Sequence, residues 1–343
     1  MISLRVEPPS ALPYDVHVGR DSSLLVNQSV PEGVSKVFVV SQENIPRVDL
    51  SLDADVFFSY VENGEAAKSL SVAGNLLEQM SKLSLGRNDL VLAIGGGVVS
   101  DLGGFVASVY LRGIRYQTIS TTLLGQIDAS IGGKTGVNLP TGKNLVGSFW
   151  HPSSVYCDTA MLDSLDEREF KSGLGEMVKY EFLGASGLSL TSLEDSIARC
   201  VSLKADFVKE DEREGGRRAL LNYGHTFGHA LESLGILGAI DRITHGEAVA
   251  KGIRFAAHLA HLLGRIDDRG LDEHYEVLSK FSLDISIPMS VTIDEVLPFI
   301  VRDKKSRGSI TFVLAQSHGE PSVVRDISTN DLEAALQALH RYS

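Results

Sequence analysis

The sequence contains little of what defines several large classes of protein. Its 343 residues include only two cysteines, Cys157 and Cys200, without metal-ligand spacing, which excludes a disulfide-stapled or cysteine-ligated fold. No uncharged apolar run reaches the roughly 18 residues that a membrane-spanning helix needs. The N-terminal stretch MISLRVEPPSALPYDVHVG lacks the basic start and apolar core of a signal peptide. We therefore expect a cytoplasmic protein.

Positive charge is also scarce. The chain has 32 Lys and Arg against 44 Asp and Glu, a formal net charge of −12. This balance repels polyanions, so neither nucleic acid nor an anionic membrane surface is expected as a partner. A content of 43% hydrophobic and 22% charged residues is typical of a globular protein. The length favours two domains, between which small-molecule sites tend to lie.

Short β-rich runs alternate with helix-length segments over the first half of the chain. A hairpin at the edge of a sheet is predicted for residues 1–19. The runs that follow it are Lys36–Ser41, Asp55–Tyr60, Asp89–Ile94, Tyr116–Ser120 and Val155–Asp158. This alternation predicts a mainly parallel sheet with crossover helices.

Helical periodicity dominates the second half of the chain. The predicted helices are Thr159–Leu183, Ser192–Arg213, Arg217–Leu234, Gly246–Leu263, Leu271–Phe281 and Asn330–His340. A late hairpin is predicted from Ser309–Leu314 and Ser322–Val324. We therefore expect an α/β domain over residues 1–158 and a C-terminal domain, otherwise all-α, over residues 159–343.

A glycine turn follows one of the buried strands. In VLAIGGGVVSDLGGF the strand runs into Gly95–Gly97 and then into a helix, whose N-terminal N–H groups and dipole favour a phosphate. Ser100 stands where a third glycine would complete a dinucleotide fingerprint, and a turn without a ligand explains the glycines equally well. Asp101 in the first turn of the helix, with Glu65 and Lys68 upstream, could hold a ribose, although such residues are more often caps or surface charges.

The segment RALLNYGHTFGHALE, residues 218–232, is interpreted as one helix with a polar face. Arg218, Asn222, His225 and His229 follow one another at intervals of four, three and four, which places them on one stripe. A single histidine there is more often a satisfied core residue. Two histidines, with a third in THGEAVA, favour a metal ion.

One carboxylate and two imidazoles would suit zinc or a similar first-row ion and leave positions open for substrate oxygens. The candidates are Glu176 in SGLGEMVKY, His225 and His245. Lys179, three residues after Glu176, lies on the same helical face. The HExxH pattern is absent, so peptide hydrolysis is not indicated.

Positive residues are concentrated near glycine turns and on helix faces of this acidic chain. They are Lys134, Lys143 followed by Asn144, Lys204 and Arg218. Any single lysine is usually a solvated surface group. The glycine-flanked Lys134 and Lys143 are better placed for an anion, because small neighbours let backbone and ammonium approach a phosphate together.

Together these motifs resemble those of the 3-dehydroquinate synthase family, the sugar-phosphate cyclases of the shikimate pathway, from Gly64 to Arg307. The matching stretches are GGGVVSDLGGF, YLRGIRYQTISTTLLGQIDASIGGKTGVN, GKNLVGSF, GEMVKY, RALLNYGHTFGHALE, HGEAVAKG and RDKK. The resemblance implies an N-terminal nucleotide-binding α/β domain and a C-terminal helical domain. It also implies NAD, one divalent metal ion (zinc or cobalt) and a homodimer.

The resemblance further implies roles for individual residues. The metal ligands would be Glu176, His225 and His245. The NAD site would contain Glu65, Lys68, Gly95, Gly96, Gly97, Asp101, Thr121, Thr122, Lys134 and Lys143. The substrate site would contain Asp128, Lys134, Asn144, Lys179, Lys204, Glu214, Arg218, Asn222, His229 and either Lys304 or Lys305. Arg112 resembles an arginine that family members lend to the phosphate site of the neighbouring subunit.

The implied reaction converts 3-deoxy-D-arabino-heptulosonate 7-phosphate to 3-dehydroquinate and phosphate. It proceeds by transient oxidation by NAD, β-elimination of phosphate, reduction, ring opening and aldol closure. Lys204 and Arg218 would hold the substrate carboxylate, which is missing from the sedoheptulose 7-phosphate or glucose 6-phosphate used by related cyclases. Gln42 and Gly175 depart from the family pattern, which often has aspartate and usually alanine there.

Two other readings remain open at the level of sequence. A metal-dependent polyol dehydrogenase of the same broad fold would need no phosphate site and would accumulate NADH. A non-catalytic binding or scaffold protein would keep the fold, and a chelator would abolish no activity. The metal ligands and the two anion sites argue against the second alternative.

Overall fold

A seven-stranded sheet forms the centre of one part of the chain in the computed structural model, which describes residues 1–302, 309–316 and 320–342. This first unit contains Met1–Asp166 and Ser192–Glu212. The second unit, mainly helical, contains Glu167–Thr191 and Arg213–Ser343. The helix predicted over Ser192–Arg213 thus belongs to the unit that contains the sheet.

The first unit contains nine strands, of which seven follow the predicted runs closely. In chain order they are β1 (Ile2–Val6), β2 (Tyr14–Gly19), β3 (Lys36–Gln42), β4 (Asp55–Val61), β5 (Leu90–Gly95), β6 (Arg115–Ser120), β7 (Lys134–Leu139), β8 (Gly142–Phe149) and β9 (Ser154–Asp158). The large sheet has the order β1-β2-β9-β6-β5-β3-β4. Its strands pair in parallel except β1 with β2, which confirms the mainly parallel sheet and the edge hairpin.

The helices surround this sheet or build the second unit. In chain order they are α1 (Val26–Ser29), α2 (Leu70–Lys82), α3 (Gly97–Val109), α4 (Glu167–Phe182), α5 (Leu193–Glu210), α6 (His225–Ile236), α7 (His245–Leu262), α8 (Asp268–Lys280), α9 (Ile293–Arg302) and α10 (Thr329–Arg341). The late hairpin is present as β10 (Phe312–Ala315) and β11 (Pro321–Val324). Helix α9 was not predicted from the sequence.

The interior strand β5 shows why the parallel sheet forms. Every residue of its sequence LVLAIG is buried. A strand covered on both faces by other elements must be apolar on both, which is why β5 reads as a continuous apolar run without alternation. Its carboxyl end leads through Gly96 directly into α3.

The strands β7 and β8 form an antiparallel hairpin that was not predicted. Its sequence, KTGVNLPTGKNLVGSF, is rich in glycine and polar residues. Such a composition is typical of a loop with a glycine turn. The pairing is irregular. Val137 pairs with Val146 and Leu139 with Gly142, which leaves Asn138 opposite three residues of β8. This bulge carries Asn144 in the left-handed region, at φ 55°.

The segment 218–232 is not one helix, so this prediction was wrong. A 3-10 turn spans Arg217–Asn222, and α6 begins only at His225. The break is at Gly224, whose φ of 80° is left-handed. A Cβ at Gly224 would also lie 2.7 Å from the Val249 carbonyl oxygen of α7. Packing against α7 therefore fixes the break, and Arg218 is separated from the face of α6.

Helices α4 and α7 approach each other at Gly175 and Gly246. A Cβ on Gly246 would collide with the backbone of Ser172, and one on Gly175 with the backbone of Gly246. The Gly246 N–H donates to the Ser172 hydroxyl oxygen at 3.1 Å. Close packing therefore explains the glycine at position 175, and the contact holds α4 and α7 at a fixed separation.

Gly246→Ala is expected to destabilise the protein by about 1–3 kcal/mol, because backbone atoms cannot move aside as a flexible side chain can. Gly74→Ala in α2 is the matched control. A Cβ at Gly74 meets nothing within 4 Å. The control should therefore stabilise the helix by up to about 1 kcal/mol. Thermal unfolding of both variants tests this, and equal shifts of the two midpoints would contradict the close approach.

Cys157 and Cys200 are both buried thiols. Over the parts of the chain that the structure describes, no helix combines the length and apolar character that crossing a bilayer requires.

Candidate active site

Three predicted residues converge in the second unit. Glu176 lies on α4, and His225 and His245 are the first residues of α6 and α7. The Oε2 atom of Glu176 lies 3.7 Å from Nε2 of His225 and 3.7 Å from Nε2 of His245. Ligand atoms about 2 Å from a shared tetrahedral ion lie roughly 3.3 Å apart. The spacing therefore fits a single metal ion between them.

The hydrogen bonding of Glu176 supports the same conclusion. This side chain is only 1% exposed, and its Oε1 accepts from the Lys179 ammonium. Among the described residues, nothing donates a hydrogen bond to Oε2. A buried carboxylate oxygen without a donor is unfavourable. Because this oxygen faces two imidazole nitrogens, a divalent cation accounts for it.

The opposite ring nitrogens of both histidines are already engaged. Nδ1 of His225 lies 3.1 Å from the Tyr223 carbonyl oxygen, and Nδ1 of His245 lies 3.1 Å from Oε2 of Glu232. An N–H at Nδ1 leaves Nε2 with the lone pair that binds a metal. Glu232 was missed in the sequence, although it lies seven residues after His225, on the same face of α6.

The two imidazoles differ in their electrostatic surroundings. Burial holds the pKa of His225 well below its ordinary value, and the Lys179 ammonium adds to this effect. Burial also acts to lower the pKa of His245, but the hydrogen bond to Glu232 and the charge of Glu176 outweigh it and raise the pKa. Neutral imidazole is the form that binds a metal, so His225 needs no deprotonation near neutral pH.

His229 lies beside this cluster on the exposed face of α6. Its ring centroid is 5.3 Å from that of His225 and 5.8 Å from that of His245. His229, Glu232 and His245 also bring ligand atoms within 4.8 Å of one another. Since Nδ1 of His245 already shares a proton with Glu232, this second group is a weaker metal site than that of Glu176, His225 and His245.

Other predicted substrate residues lie in the same unit. Arg218 is 1% exposed, in the 3-10 turn that precedes α6. The Asn222 amide donates to Oε1 of Glu214 at 2.7 Å, and Glu214 adopts a φ of 60°. The buried guanidinium of Arg218 thus belongs to the same unit as the candidate metal ligands. Lys304 and Lys305 lie outside the described residues.

A second group of predicted residues meets in the first unit. The ammonium of Lys68, a side chain that is 5% exposed, forms an ion pair with Asp101 and donates to Oδ1 of Asn144. Asp101 is the fifth residue of α3, so the prediction that it lies in the first turn was wrong. Burial raises the pKa of Asp101 to about 6, against the opposing effect of Lys68.

The glycine turn lies at the carboxyl ends of β5 and β6, which pair in parallel up to Gly95 and Ser120. The Thr121 N–H donates to the Gly95 carbonyl oxygen at 3.1 Å. Helix α3 begins at Gly97 without a side-chain cap on Gly96. Its N-terminal N–H groups can therefore bind an anion at the carboxyl edge of a parallel sheet, where nucleotides bind in such folds.

Lys204 and Asp128 are brought together in the first unit. Lys204, on α5, donates to the Asp128 carboxylate at 2.8 Å and to its carbonyl oxygen at 2.5 Å. Asp128 belongs to a π-helical turn, Gly125–Ala129, that was not predicted. Such turns are frequent at functional sites. The contact pairs a buried ammonium with the partly exposed carboxylate of Asp128.

The remaining predicted residues are more exposed. Lys134 and Lys143 lie on the β7–β8 hairpin, and Arg112 follows α3 in the left-handed region at φ 69°. Contact of Arg112 with a neighbouring subunit stays a prediction. The Gln42 amide donates to the Glu62 carbonyl oxygen at 2.9 Å.

Comparison with known proteins matches both halves of the chain to one family. Residues 58–172 match the family model 3-dehydroquinate synthase N-terminal, and residues 173–306 match 3-dehydroquinate synthase C-terminal. The 3-dehydroquinate synthase of Campylobacter fetus subsp. fetus (strain 82-40) is 42% identical over 294 residues, covering 82% of this chain and 84% of that protein. A protein of Amycolatopsis mediterranei (strain S699), provisionally named aminodehydroquinate synthase, is 40% identical over 335 residues, covering 96% and 93%.

A solved structure matches the fold over nearly its whole length. The crystal structure of 2-deoxy-scyllo-inosose synthase complexed with carbaglucose-6-phosphate, NAD+ and Co2+ superposes with a TM-score of 0.87 and 25% identity. The match covers 98% of this chain and 99% of that one. It confirms the predicted α/β domain with a helical C-terminal part.

Proposed function

Because this chain belongs to the 3-dehydroquinate synthase family, we propose that it converts 3-deoxy-D-arabino-heptulosonate 7-phosphate to 3-dehydroquinate and phosphate. Loss of phosphate by elimination makes the enzyme a carbon–oxygen lyase. The observation that carries the proposal is the convergence of Glu176, His225 and His245 in a chain matched to the family over residues 58–306. NAD and one divalent ion, zinc or cobalt, are the cofactors.

We assign several residues to the binding of the two cofactors. When bound, NAD accepts and returns a hydride, and the metal ion held by Glu176, His225 and His245 makes a substrate hydroxyl more acidic. Lys179 donates to the second oxygen of Glu176, which fixes the orientation of this carboxylate. For the nucleotide we assign the glycine turn with Thr121 and Thr122, together with Glu65, Lys68 and Asp101.

The phosphate of the substrate needs donors that remain in place as charge builds on the leaving group. We assign this role to Lys134, Asn144, Asn222 and His229. Positive and amide donors suit a dianion, and none of these four groups needs to lose a proton to bind it. The leaving phosphate itself can accept the proton that the elimination releases.

The substrate carboxylate distinguishes this reaction from those of related cyclases. We assign Lys204 and Arg218 to it, because an arginine can form two parallel hydrogen bonds with a carboxylate. Both side chains are buried, at 4% and 1% exposed. Hydrogen bonds from such buried cations to a carboxylate are stronger than in water.

Phosphate release from the heptulosonate phosphate is the direct test. Release should require both NAD and the metal ion, and the nicotinamide absorbance should show no lasting change, since the hydride returns in each turnover. Accumulating NADH without phosphate would indicate a polyol dehydrogenase. Activity that survives complete chelation would contradict the metal assignment.

A second candidate function follows from the Amycolatopsis relative, which matches 96% of this chain. Its name implies a product that carries an amino group. Comparing kcat/KM for the heptulosonate phosphate and for its amino analogue decides between the two functions. We expect the hydroxyl substrate to be preferred, and a reversed preference would assign the chain to the aminodehydroquinate reaction.

We further propose a cytoplasmic homodimer in which Arg112 serves the phosphate site of the neighbouring subunit. Mixing the inactive variants Arg112→Ala and His225→Ala tests this. A mixed dimer would have one site with intact metal ligands and a donated arginine, so exchange of subunits should restore roughly a quarter of the activity. Absence of recovery after demonstrated subunit exchange would place Arg112 in its own subunit's site.

A further inference from the structure

Asn138 lies at the centre of the bulge in the β7–β8 hairpin. It lies between the regular pairs Val137 with Val146 and Leu139 with Gly142, opposite three residues of β8 that include Asn144. Regular ladder bonds are interrupted here, and a bulge commonly redirects a side chain near a functional site. Neither the sequence motifs nor the proposed reaction assigns a role to Asn138.

Both ends of the Asn138 carboxamide are engaged. Its Oδ1 accepts from the backbone N–H of Asn144 at 2.8 Å, and its Nδ2 donates to Oε1 of Glu65 at 2.6 Å. Its own N–H donates to the Lys68 carbonyl oxygen at 2.8 Å. One residue thus contacts three residues of the proposed nucleotide and substrate sites.

The contact with Asn144 determines where that side chain lies. Asn144 adopts a left-handed φ of 55°, which costs free energy for a residue other than glycine and needs support. The bond from its N–H to Asn138 provides this support. In this conformation Oδ1 of Asn144 accepts from the buried ammonium of Lys68, which also pairs with Asp101.

We propose that Asn138 is a positioning residue that holds Asn144 and Glu65 in place, and so joins the phosphate-binding hairpin to the nucleotide site. The inference rests on the proposed function for the roles of Asn144 and Glu65. The contacts themselves are independent of it.

The chemistry at this position requires a carboxamide. One end must accept from a backbone N–H and the other must donate to a carboxylate, and asparagine supplies both on a short side chain. Aspartate would keep the acceptor but set a second carboxylate against Glu65. Alanine would remove both bonds. The two substitutions therefore separate the two contacts.

The experiment compares these variants in the full-length enzyme with NAD and metal supplied. Asn138→Ala should lower kcat roughly tenfold and weaken NAD binding roughly tenfold, the size expected for loss of one positioning hydrogen bond at each contact. Amide exchange of the peptide that contains Asn144 should accelerate. Asn138→Asp should weaken NAD binding by a similar factor and leave kcat and amide exchange near wild type.

A double variant that exchanges the hydrogen-bond donor and acceptor makes the test more specific. In the double variant Asn138→Asp with Glu65→Gln, the glutamine amide can donate to the aspartate. Its NAD affinity should therefore equal that of Glu65→Gln alone. Asn75→Asp, on the exposed face of α2, is the matched control for the charge change and should alter none of these readouts.

Two results would overturn the inference. One is unchanged kcat, NAD affinity and amide exchange in Asn138→Ala. The other is a lowered melting temperature with unchanged kinetic constants, which would show a purely structural role. Loss of the proposed function gives a different pattern, because wild-type enzyme would then release no phosphate while the amide exchange of Asn138→Ala still increased.

Discussion

His225→Ala is expected to lose the bound metal ion and to lower turnover by about a thousandfold or more, since metal activation of an oxygen ligand contributes several kcal/mol. The side chain of His225 is 12% exposed and stands at the first position of α6, where alanine is well tolerated. The variant should therefore remain folded. Metal content by elemental analysis and phosphate release are the two measurements.

His261→Ala provides the control for this substitution. His261 lies in α7, the helix that also carries His245, but it is 37% exposed and contacts Asp268. It should retain full metal content and activity. A full complement of metal in His225→Ala would remove this residue from the ligand set.

Arg218→Ala is expected to raise KM for the heptulosonate phosphate roughly 30- to 150-fold, because a hydrogen bond between charged groups contributes about 2–3 kcal/mol. Arg218→Lys should recover only part of the loss, since lysine keeps the charge but not the paired donors. Steady-state kinetics with phosphate release as the readout measure both effects. Loss of NAD binding is not expected.

A ligand without a carboxylate separates this effect from general damage to the site. Sedoheptulose 7-phosphate, tested as a competitive inhibitor, should bind wild type and Arg218→Ala about equally. Arg269→Ala, on the exposed surface of α8, is the matched control and should leave KM unchanged. An unchanged KM in Arg218→Ala would contradict the assignment of the substrate carboxylate.

The sheet could be predicted because its signal is local. Strand β5 is an uninterrupted apolar run, and the strands beside it recur at the spacing of βαβ units. The β7–β8 hairpin was missed because its glycines and polar residues carry no alternating pattern. The break at Gly224 was missed because its cause is a contact with α7, some 25 residues later in the chain, and helical periodicity holds no information about it.

In the candidate site, too, some residues could be predicted from the sequence and others could not. Glu176, His225 and His245 could be proposed from the sequence because two histidines at helical spacing, His225 and His229, with a third in THGEAVA, are chemically distinctive. The residues that orient them were not identified, because their partners are distant in the chain. Glu232 contacts His245 across 13 positions, and Asn138 contacts Glu65 across 73. Such pairs become visible only when the fold brings them together.

Anomalous X-ray diffraction at the absorption edge of the bound metal tests the central claim most directly. The account predicts one peak about 2.0–2.2 Å from Oε2 of Glu176 and from Nε2 of His225 and His245. A peak among His229, Glu232 and His245 instead, or one that lies away from Glu176, would contradict the metal centre on which the proposed function depends.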